Sequence, residues 1–539
     1  MMMNATTEYG FVDNRQISLV RSCINFLLIF SAIIQLFLYF TYEDNAVSVL
    51  IVLFVSLLTT AYCLNGRVFC KTPVSSLLIL GFNFVSLSGA MVVMTMGANP
   101  IVKYLNVPLY TFSLLAIAQI TLIFSHVVYL RSYVFVRASE LIRENILKPI
   151  GLFDLPGDKV LWTMGVVGCI AISLTRAGSF GEAQTFQGND VGSKVFAGFA
   201  VFSAAPLFGP IFKKFYENTE DKPLGISWWP LITYFCMLLI VATVANTRQV
   251  FADAVIECAL GAVILFCLGK IKLTSQLLKR LILIALVATV VLPLMSRFSI
   301  AMVVAREFRA DSSPISLLSL TWSSFWDQAA IASYQEGIKT ALLGDYNEFY
   351  ADNPLLSRFI ITKFHDNMFY FSGHLQSGDG WLLFNSALDR IIALLPQPLI
   401  NILGLHVDKS DLLSSNGDYL FSLASGYGLG GYRTGSMIAE GFAMVGFLYP
   451  LLLGVLAISC FSFYDAFADN SRAKGVVVAP VMMFQIWYLF GGVGGAAFGA
   501  EGLSNVVVGI LRGMPQMVIF YCAIAFFVNS FLSSRLSAK

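Results

Sequence analysis

Ala46-Val-Ser-Val-Leu-Ile-Val-Leu-Phe-Val-Ser-Leu-Leu-Thr-Thr-Ala-Tyr-Cys-Leu64 is an uncharged run whose only polar groups are hydroxyls and one thiol. Hydrocarbon offers the backbone no hydrogen-bonding partner. A span must therefore satisfy its own N–H and C=O groups, and roughly 20 apolar residues of helix do so. About twelve stretches of this kind recur: 22–42, 46–64, 74–97, 108–130, 160–176, 193–212, 225–245, 250–269, 281–304, 434–463, 475–497 and 512–533. Charged residues make up 12 % of the 539-residue chain and hydrophobic residues 57 %, whereas soluble domains carry about 25 % charge. This composition excludes a soluble enzyme, a nucleic-acid-binding protein and a disordered chain. The first stretch follows a polar head without a small-residue cleavage site and reads as a retained anchor.

Lys and Arg in the connections set the orientation. With the N-terminus inside, the inner segments hold Arg15, Arg21, Arg67, Lys71, Arg131, Arg137, Arg143, Lys148, Lys159, Lys213, Lys214, Lys222, Lys270, Lys272, Lys279, Arg280, Arg472, Lys474, Arg535 and Lys539, about 20 of the 34 basic residues. The short outer connections hold about five. The chain is thus expected to be an all-α polytopic membrane protein with both termini inside. Residues 1–304 form nine N-terminal spans, 305–432 one large outer loop, and 433–539 three C-terminal spans. Helical spacing in Ile315–Leu318–Trp322–Phe325–Trp326 and Leu388–Ile391–Ile392–Leu395 predicts short helices in the loop, packed over the membrane mouth. Arg131 to Gly151 reads as a basic amphipathic helix on the inner surface. The nine cysteines lie in or beside spans and show neither a disulfide framework nor metal-ligand spacing.

A charge inside a bilayer needs a partner or a function. Three segments gather such charges toward the outer side. In Asn246-Thr-Arg-Gln-Val-Phe-Ala-Asp-Ala-Val-Ile-Glu257, Arg248 sits at a helix mouth, and Gln249, Asp253 and Glu257 share a face at four-residue steps. A helical rise puts Glu257 roughly 13 Å below Arg248. An Arg at a helix mouth suits a phosphate or diphosphate, which its fork binds bidentately; an ion pair is the structural alternative. In Gly426-Tyr-Gly-Leu-Gly-Gly-Tyr-Arg-Thr-Gly-Ser-Met-Ile-Ala-Glu-Gly-Phe442, Arg433, Ser436 and Glu440 fall at spacings of three and four, on one helical face. The glycines permit tight turns, and the segment lacks the Gly-Lys-Ser/Thr of a nucleotide-binding loop. In Gly499-Ala-Glu-Gly-Leu-Ser-Asn-Val-Val-Val-Gly-Ile-Leu-Arg512, Glu501 and Arg512 stand three turns apart, on one face of a continuous helix.

The loop adds Arg297, Arg306, Arg309, Arg358, Lys363, Arg390 and Lys409, with His365, His374, His406, Asp366, Asp379 and Asp389. Of these, His374 is a candidate general base and Arg390 a candidate substrate ligand. The histidines lack metal-like spacing, so no metal or other cofactor is expected. Trp322, Trp326 and Trp381 either stack on sugar rings or form the loop's core. His126, within the fourth span, reads as a hydrogen-bonded packing residue.

This arrangement resembles the Wzy-type polymerases of bacterial surface polysaccharides. The likeness is architectural over nearly the whole chain: about twelve spans, a large periplasmic loop before the last three, and both ends inside. Asn246-Thr-Arg248-Gln is similar to that family's Arg at an outer helix mouth. Ile391-Ile-Ala-Leu-Leu-Pro-Gln-Pro398 resembles its Pro-containing loop turn. Thr434 to Gly454 resembles its span after the loop, and Ala500-Glu501-Gly-Leu with Arg512 the opening of its last span. The resemblance implies a GT-C-like fold in the bacterial inner membrane. It also implies transfer of a growing glycan from undecaprenyl diphosphate onto the next lipid-linked repeat unit. Arg248, Arg433 and Arg512 would bind diphosphate or acceptor, and Glu440 or Glu501 would activate the acceptor hydroxyl. Lipid-linked oligosaccharides, membrane lipid and a chain-length regulator protein are the implied partners. The related O-antigen ligases carry a His-Asn pair near the end of the loop; Ser425 to Arg433 has no His. A multispan transporter is the other alternative.

Overall fold

The computed structural model describes residues 14–177, 191–216, 228–245, 249–306, 308, 314–341, 346–351, 356–409, 412, 414–431, 433–470, 475–491, 498–499 and 501–534. These residues are almost entirely helical, with one two-residue antiparallel pairing of Ala468–Asp469 against Val477–Val478. Nine helices among them are long and apolar enough to cross a membrane. The chain is an all-α, membrane-embedded protein.

The nine candidates account for nine of the twelve expected stretches. Two more are apolar helices that fall short in length among the described residues: Trp228–Val244, and the Pro293–Ala305 part of the helix Ser275–Arg306. The twelfth, 475–497, is not one helix in its described part. It turns through two short pieces, Pro480–Met483 and Ile486–Phe490. Two further stretches are interrupted. Residues 191–216 pass through a tight helix over Ala200–Phe208 that contains Pro206, which cannot donate to the helical ladder. Met437–Val445 and Tyr449–Tyr464 are separated by Gly446–Leu448.

The expected short loop helices are present: Pro314–Trp326, Gln328–Ala341, Thr362–Ser372, Asp379–Ile392, Gln397–Ile402 and Asn416–Ser425. They are not merely stacked over a mouth. Nine of the eleven residues of Thr362–Ser372 are buried, among them Lys363, His365, Asp366 and Asn367. This helix packs into the spanning bundle against Pro108–Arg131 and Met437–Val445.

The sequence of the third span explains how it is held. Residues Phe84–Ser88 widen into a π-turn inside Pro73–Met96, which frees carbonyls from the ordinary ladder. Ile361 N donates to Val85 O at 2.9 Å and Thr362 Oγ1 to Ser86 O at 2.9 Å. The Asp366 carboxylate then meets the start of the next span. It accepts Asn106 N at 2.7 Å, Val107 N at 2.9 Å and Thr111 Oγ1 at 3.2 Å, and pairs with Lys363 Nζ at 3.0 Å. A carboxylate on the first turn of a helix satisfies orphan N–H groups and suits the dipole. One polar loop helix thereby closes two interruptions of the spanning bundle.

At the other end of the bundle, Tyr133–Ile142 continues as a π-turn over Arg143–Leu147 and covers Asp465–Phe467. Arg143 donates to Ala468 O at 2.8 Å and Lys148 pairs with Asp469 at 3.3 Å. All nine cysteines are free thiols.

Candidate functional site

Four separate segments converge on one polar cluster. The helix Met437–Val445 begins at Ser436, whose hydroxyl accepts Ala439 N at 3.0 Å. One turn in, the Glu440 carboxylate is buried and crosses to the last span. Its Oε2 accepts Leu503 N, the first helical residue of Leu503–Val508, at 2.9 Å. Asn416 Nδ2, from the end of the loop, donates to the two Glu440 oxygens at 3.3 and 3.5 Å. Gly502 is required at this crossing. A Cβ there would lie 1.3 Å from Asn416 Nδ2 and 2.6 Å from Glu440 Oε2.

Glu501 precedes that helix and accepts Asn505 Nδ2 at 2.9 Å. It is only partly covered, unlike Glu440. Burial raises its pKa above the ordinary carboxylate range, opposed by Asn505 and Arg390. The third charge is Arg390, near the end of Asp379–Ile392. It is half-buried, donating to Ser414 O at 2.8 Å and Leu412 O at 3.4 Å. Burial lowers its pKa, while Glu440 and Glu501 raise it. A guanidinium has five N–H donors, so the two carbonyls leave donors unspent on a cation whose helix packs against Met437–Val445 and Leu503–Val508 without an ion pair to Glu440 or Glu501 among the described residues.

His365 supports this cluster from below. The ring is fully buried, with Nδ1 2.7 Å from Ser436 Oγ and Nε2 3.2 Å from Ser86 Oγ. Ser436 Oγ also accepts Ala439 N, so one hydroxyl joins the start of the Glu440 helix to the imidazole. Burial pushes the His365 pKa down to about 3. By sequence alone His365 is one of several loop histidines. The signal for it was its place in Thr362-Lys-Phe-His-Asp-Asn-Met368, a polar run with no gap for a solvated face.

The remaining candidates are dispersed. His374, the histidine singled out from the sequence, is exposed just beyond the end of its helix, with Nδ1 2.9 Å from Tyr370 O. Arg433 does not share a helical face with Glu440, because the helix begins only at Met437. Instead it pairs with buried Asp418 at 3.2 Å and lies 3.8 Å over the Phe421 ring. It is a structural clamp on the Gly-rich segment, whose turn at Gly426 has φ of +73°. Arg512 is exposed in the π-turn Gly509–Gly513, and Glu501 lies outside the helix, so the two do not form the anticipated face. Asp253 and Glu257 do share a face of Gln249–Cys267. Tyr488 Oη accepts Gln249 Nε2 at 3.0 Å and donates to Asp253 at 3.4 Å. Glu257 is buried and makes no hydrogen bond among the described residues. Arg248 lies outside the described residues. No group of three or more potential metal ligands occurs among the described residues.

The chain matches no protein-family model, no curated protein and no solved structure.

Proposed function

We propose that this chain is a polymerase of a bacterial surface polysaccharide. In this reading it transfers a growing glycan from undecaprenyl diphosphate onto the next lipid-linked repeat unit at the periplasmic face. The observation that supports the reading is that the helices of Arg390 and Glu440 and the segment of Glu501 pack together where the loop joins the last spans. A donor already activated as a lipid diphosphate needs three things: a cation for the leaving group, a base for the acceptor, and an entrance at membrane level. Arg390 supplies the cation, since its unspent N–H groups suit diphosphate oxygens. Glu501 is the base, because it is the less committed and more accessible carboxylate. Glu440 holds Leu503 and so fixes the segment that carries Glu501.

In the proposed step, the acceptor hydroxyl oxygen attacks the anomeric carbon of the glycan at the donor end. The bond from that carbon to the diphosphate oxygen breaks, with its electrons leaving on the lipid diphosphate. The hydroxyl proton passes to Glu501. Arg390 stabilises the charge that develops on the leaving oxygens.

The test is a disruption mutant of the native host complemented with the wild-type gene, Glu501→Gln or Arg390→Ala. Loss of long-chain polysaccharide, with single repeat units left and protein levels unchanged, is the expected result. A normal length ladder in the disruption mutant overturns the reading, and intact polymer retained on its carrier points to a ligase. A transporter is the second reading, favoured by buried Glu257 within the spanning helix Gln249–Cys267. Solute movement by purified protein in vesicles, without glycan synthesis, would select it.

A further inference from the structure

Among the described residues the acidic side chains of Glu257, Asp366, Asp418, Glu440, Asp465 and Asp469 are buried. All but one have partners. Asp366 accepts two backbone N–H groups, Glu440 accepts Leu503 N and Asp465 accepts Ser75 N. Asp418 pairs with Arg433 and Asp469 with Lys148. Glu257, 3 % exposed in the spanning helix Gln249–Cys267, makes neither a hydrogen bond nor an ion pair among the described residues. Gln249, Asp253 and Glu257 follow at four-residue steps on one face, and their cover grows with depth: Gln249 is exposed, Asp253 half-buried and Glu257 buried. A helical rise puts Glu257 roughly 6 Å below Asp253. Tyr488, on the facing helix Ile486–Phe490, bridges the upper part of this face. Its hydroxyl accepts Gln249 Nε2 at 3.0 Å and donates to Asp253 at 3.4 Å.

The described elements packed against this helix bring Glu257 no counter-charge. On Asn14–Leu38, Arg15 and Arg21 lie toward the far end, where Gln16 donates to Ile271 O at 2.8 Å. On Gly209–Tyr216, Ile211 lies against Gly261, a turn deeper than Glu257, and Lys213, Lys214 and Tyr216 follow beyond it. On Trp228–Val244, Tyr234 donates to Ser203 O at 2.6 Å and Cys236 is exposed. Ala200–Phe208 has no titratable residue. Ile256 and Leu260, beside Glu257, pack with Val85, Phe364 and Trp487. On the helix of Phe364, Lys363 pairs with Asp366 and His365 bonds two hydroxyls. The titratable groups near Glu257 are thus Asp253 and Tyr488 above it and the thiol of Cys258 next in the chain.

An ionised carboxylate is too costly in such a place without a partner, so it takes up a cation. A metal ion needs several ligands, and no group of three His, Cys, Asp or Glu side chains able to hold one occurs among the described residues. A proton needs only the carboxylate itself. We propose that Glu257 is a proton-binding site inside the spanning bundle, loaded and unloaded from the mouth of its helix along Asp253, Tyr488 and Gln249. One water molecule spans the step between the two carboxyl groups. The Tyr488 hydroxyl carries the proton onward, because it donates and accepts at once. None of these residues belongs to the Arg390 cluster, so the site is independent of the glycosyl transfer proposed there.

The test treats the full-length protein in lipid nanodiscs with dicyclohexylcarbodiimide, which modifies neutral carboxylic acids from an apolar phase. The acid proton passes to a carbodiimide nitrogen and the carboxyl oxygen bonds the central carbon. The adduct then rearranges to a stable N-acylurea, read by peptide mass spectrometry. Glu257 is expected to be labelled several-fold more than the hydrogen-bonded Asp366, Glu440 and Asp465. Its labelling should fall as the pH of the medium is raised and return when the pH is restored. Labelling no stronger than that of the bonded acids overturns the proposal. Labelling indifferent to pH overturns it in favour of a permanently neutral structural acid. Protection by Na⁺ at constant pH, with choline as the control cation, overturns the proton in favour of a metal cation. Tyr488→Phe keeps the ring and removes the hydroxyl, and should slow the response of labelling to a pH step several-fold; an unchanged response overturns the route. Where Tyr488→Phe fails to fold, Asp253→Asn puts the same question, and the labelling of the wild-type protein decides the site without any variant.

Discussion

Two buried carboxylates at opposite ends of the helix bundle do the same structural work in different company. Asp465 meets the start of Pro73–Asn83, accepting Ser75 N at 3.0 Å and Ser75 Oγ at 2.6 Å. Its neighbour His126 has both nitrogens occupied, by Tyr62 Oη at 2.8 Å on one side and by Ser75 Oγ at 2.8 Å and Thr72 Oγ1 at 3.3 Å on the other. Glu440 likewise meets a helix start, at Leu503, yet beside it stand half-covered Glu501 and half-buried Arg390. Asp465 also has a guanidinium near it, but Arg143 pairs with Glu144 at 3.4 Å and donates to Ala468 O at 2.8 Å, which leaves Asp465 a fastening. Such a carboxylate next to a second acid and a guanidinium with unspent donors is a place where charge can be moved. The difference separates structural from chemical polar groups, although both lie in an apolar setting where each is costly.

Removing the charges that make the second cluster different has the largest expected effect. Glu501→Gln and Arg390→Ala should each lower polymer formation by a factor on the order of 100 to 10,000. Polymer length analysis with quantified protein levels checks this; equal losses in Asp465→Asn would erase the distinction between the clusters. Gly502→Ala should be nearly as damaging, because the new methyl occupies the place of Asn416 Nδ2. Partial recovery in Gly502→Ala/Asn416→Ala, read by the same assay, would establish the clash as the cause.

Asp465→Ala leaves the Ser75 N–H and hydroxyl without their acceptor and should cost about 1–3 kcal/mol of stability. Thermal unfolding in detergent measures it, and activity should follow only the folded fraction. The pH dependence sharpens the contrast further. With Glu501 as the proposed base, whose pKa burial raises, the rate is expected to fall on acidification sooner than it would for an ordinary carboxylate. His365, lowered to about 3 in the folded protein, binds a proton near 6.5 when unfolded. The unfolded state therefore takes up more protons between those values, and stability falls as pH drops from about 6.5 toward 3. His365→Gln should flatten that slope in unfolding measured across pH. The smallest effect is expected at Arg512, exposed and without an ion pair among the described residues. Arg512→Ala should change stability by no more than about 0.5 kcal/mol and leave polymer length unaltered.

Much of this was legible residue by residue. The uncharged runs announce spanning helices because each carries its own hydrogen bonds. Glu440, Glu501 and Arg390 stood out because charges are scarce there. What misled was the assumption of regular helix through a segment. Arg433 and Glu440 share a face only if the helix starts before Arg433, and Ser436 caps it later. Glu501 and Arg512 align only on an uninterrupted helix, and the chain places Glu501 before it and a π-turn at Gly509–Gly513. Trp322 and Trp326 fit a loop core by spacing, since a 3.6-residue period shows a face without showing what covers it. His374 and His365 look alike by spacing, and only burial, which spacing does not show, separates them.

The sequence by itself determined that this is a helical membrane protein and which few charges it must accommodate. Both follow from local rules: hydrocarbon tolerates neither unpaired backbone nor idle charge. Only the tertiary structure decided which charges meet. Arg390, Asn416, Glu440 and Glu501 come from segments up to 111 residues apart. Their encounter depends on the polar helix Thr362–Ser372 filling the gaps left by the π-turn of one span and the open start of another. No local pattern encodes that meeting, because it is set by which buried donors and acceptors find one another once the chain has packed.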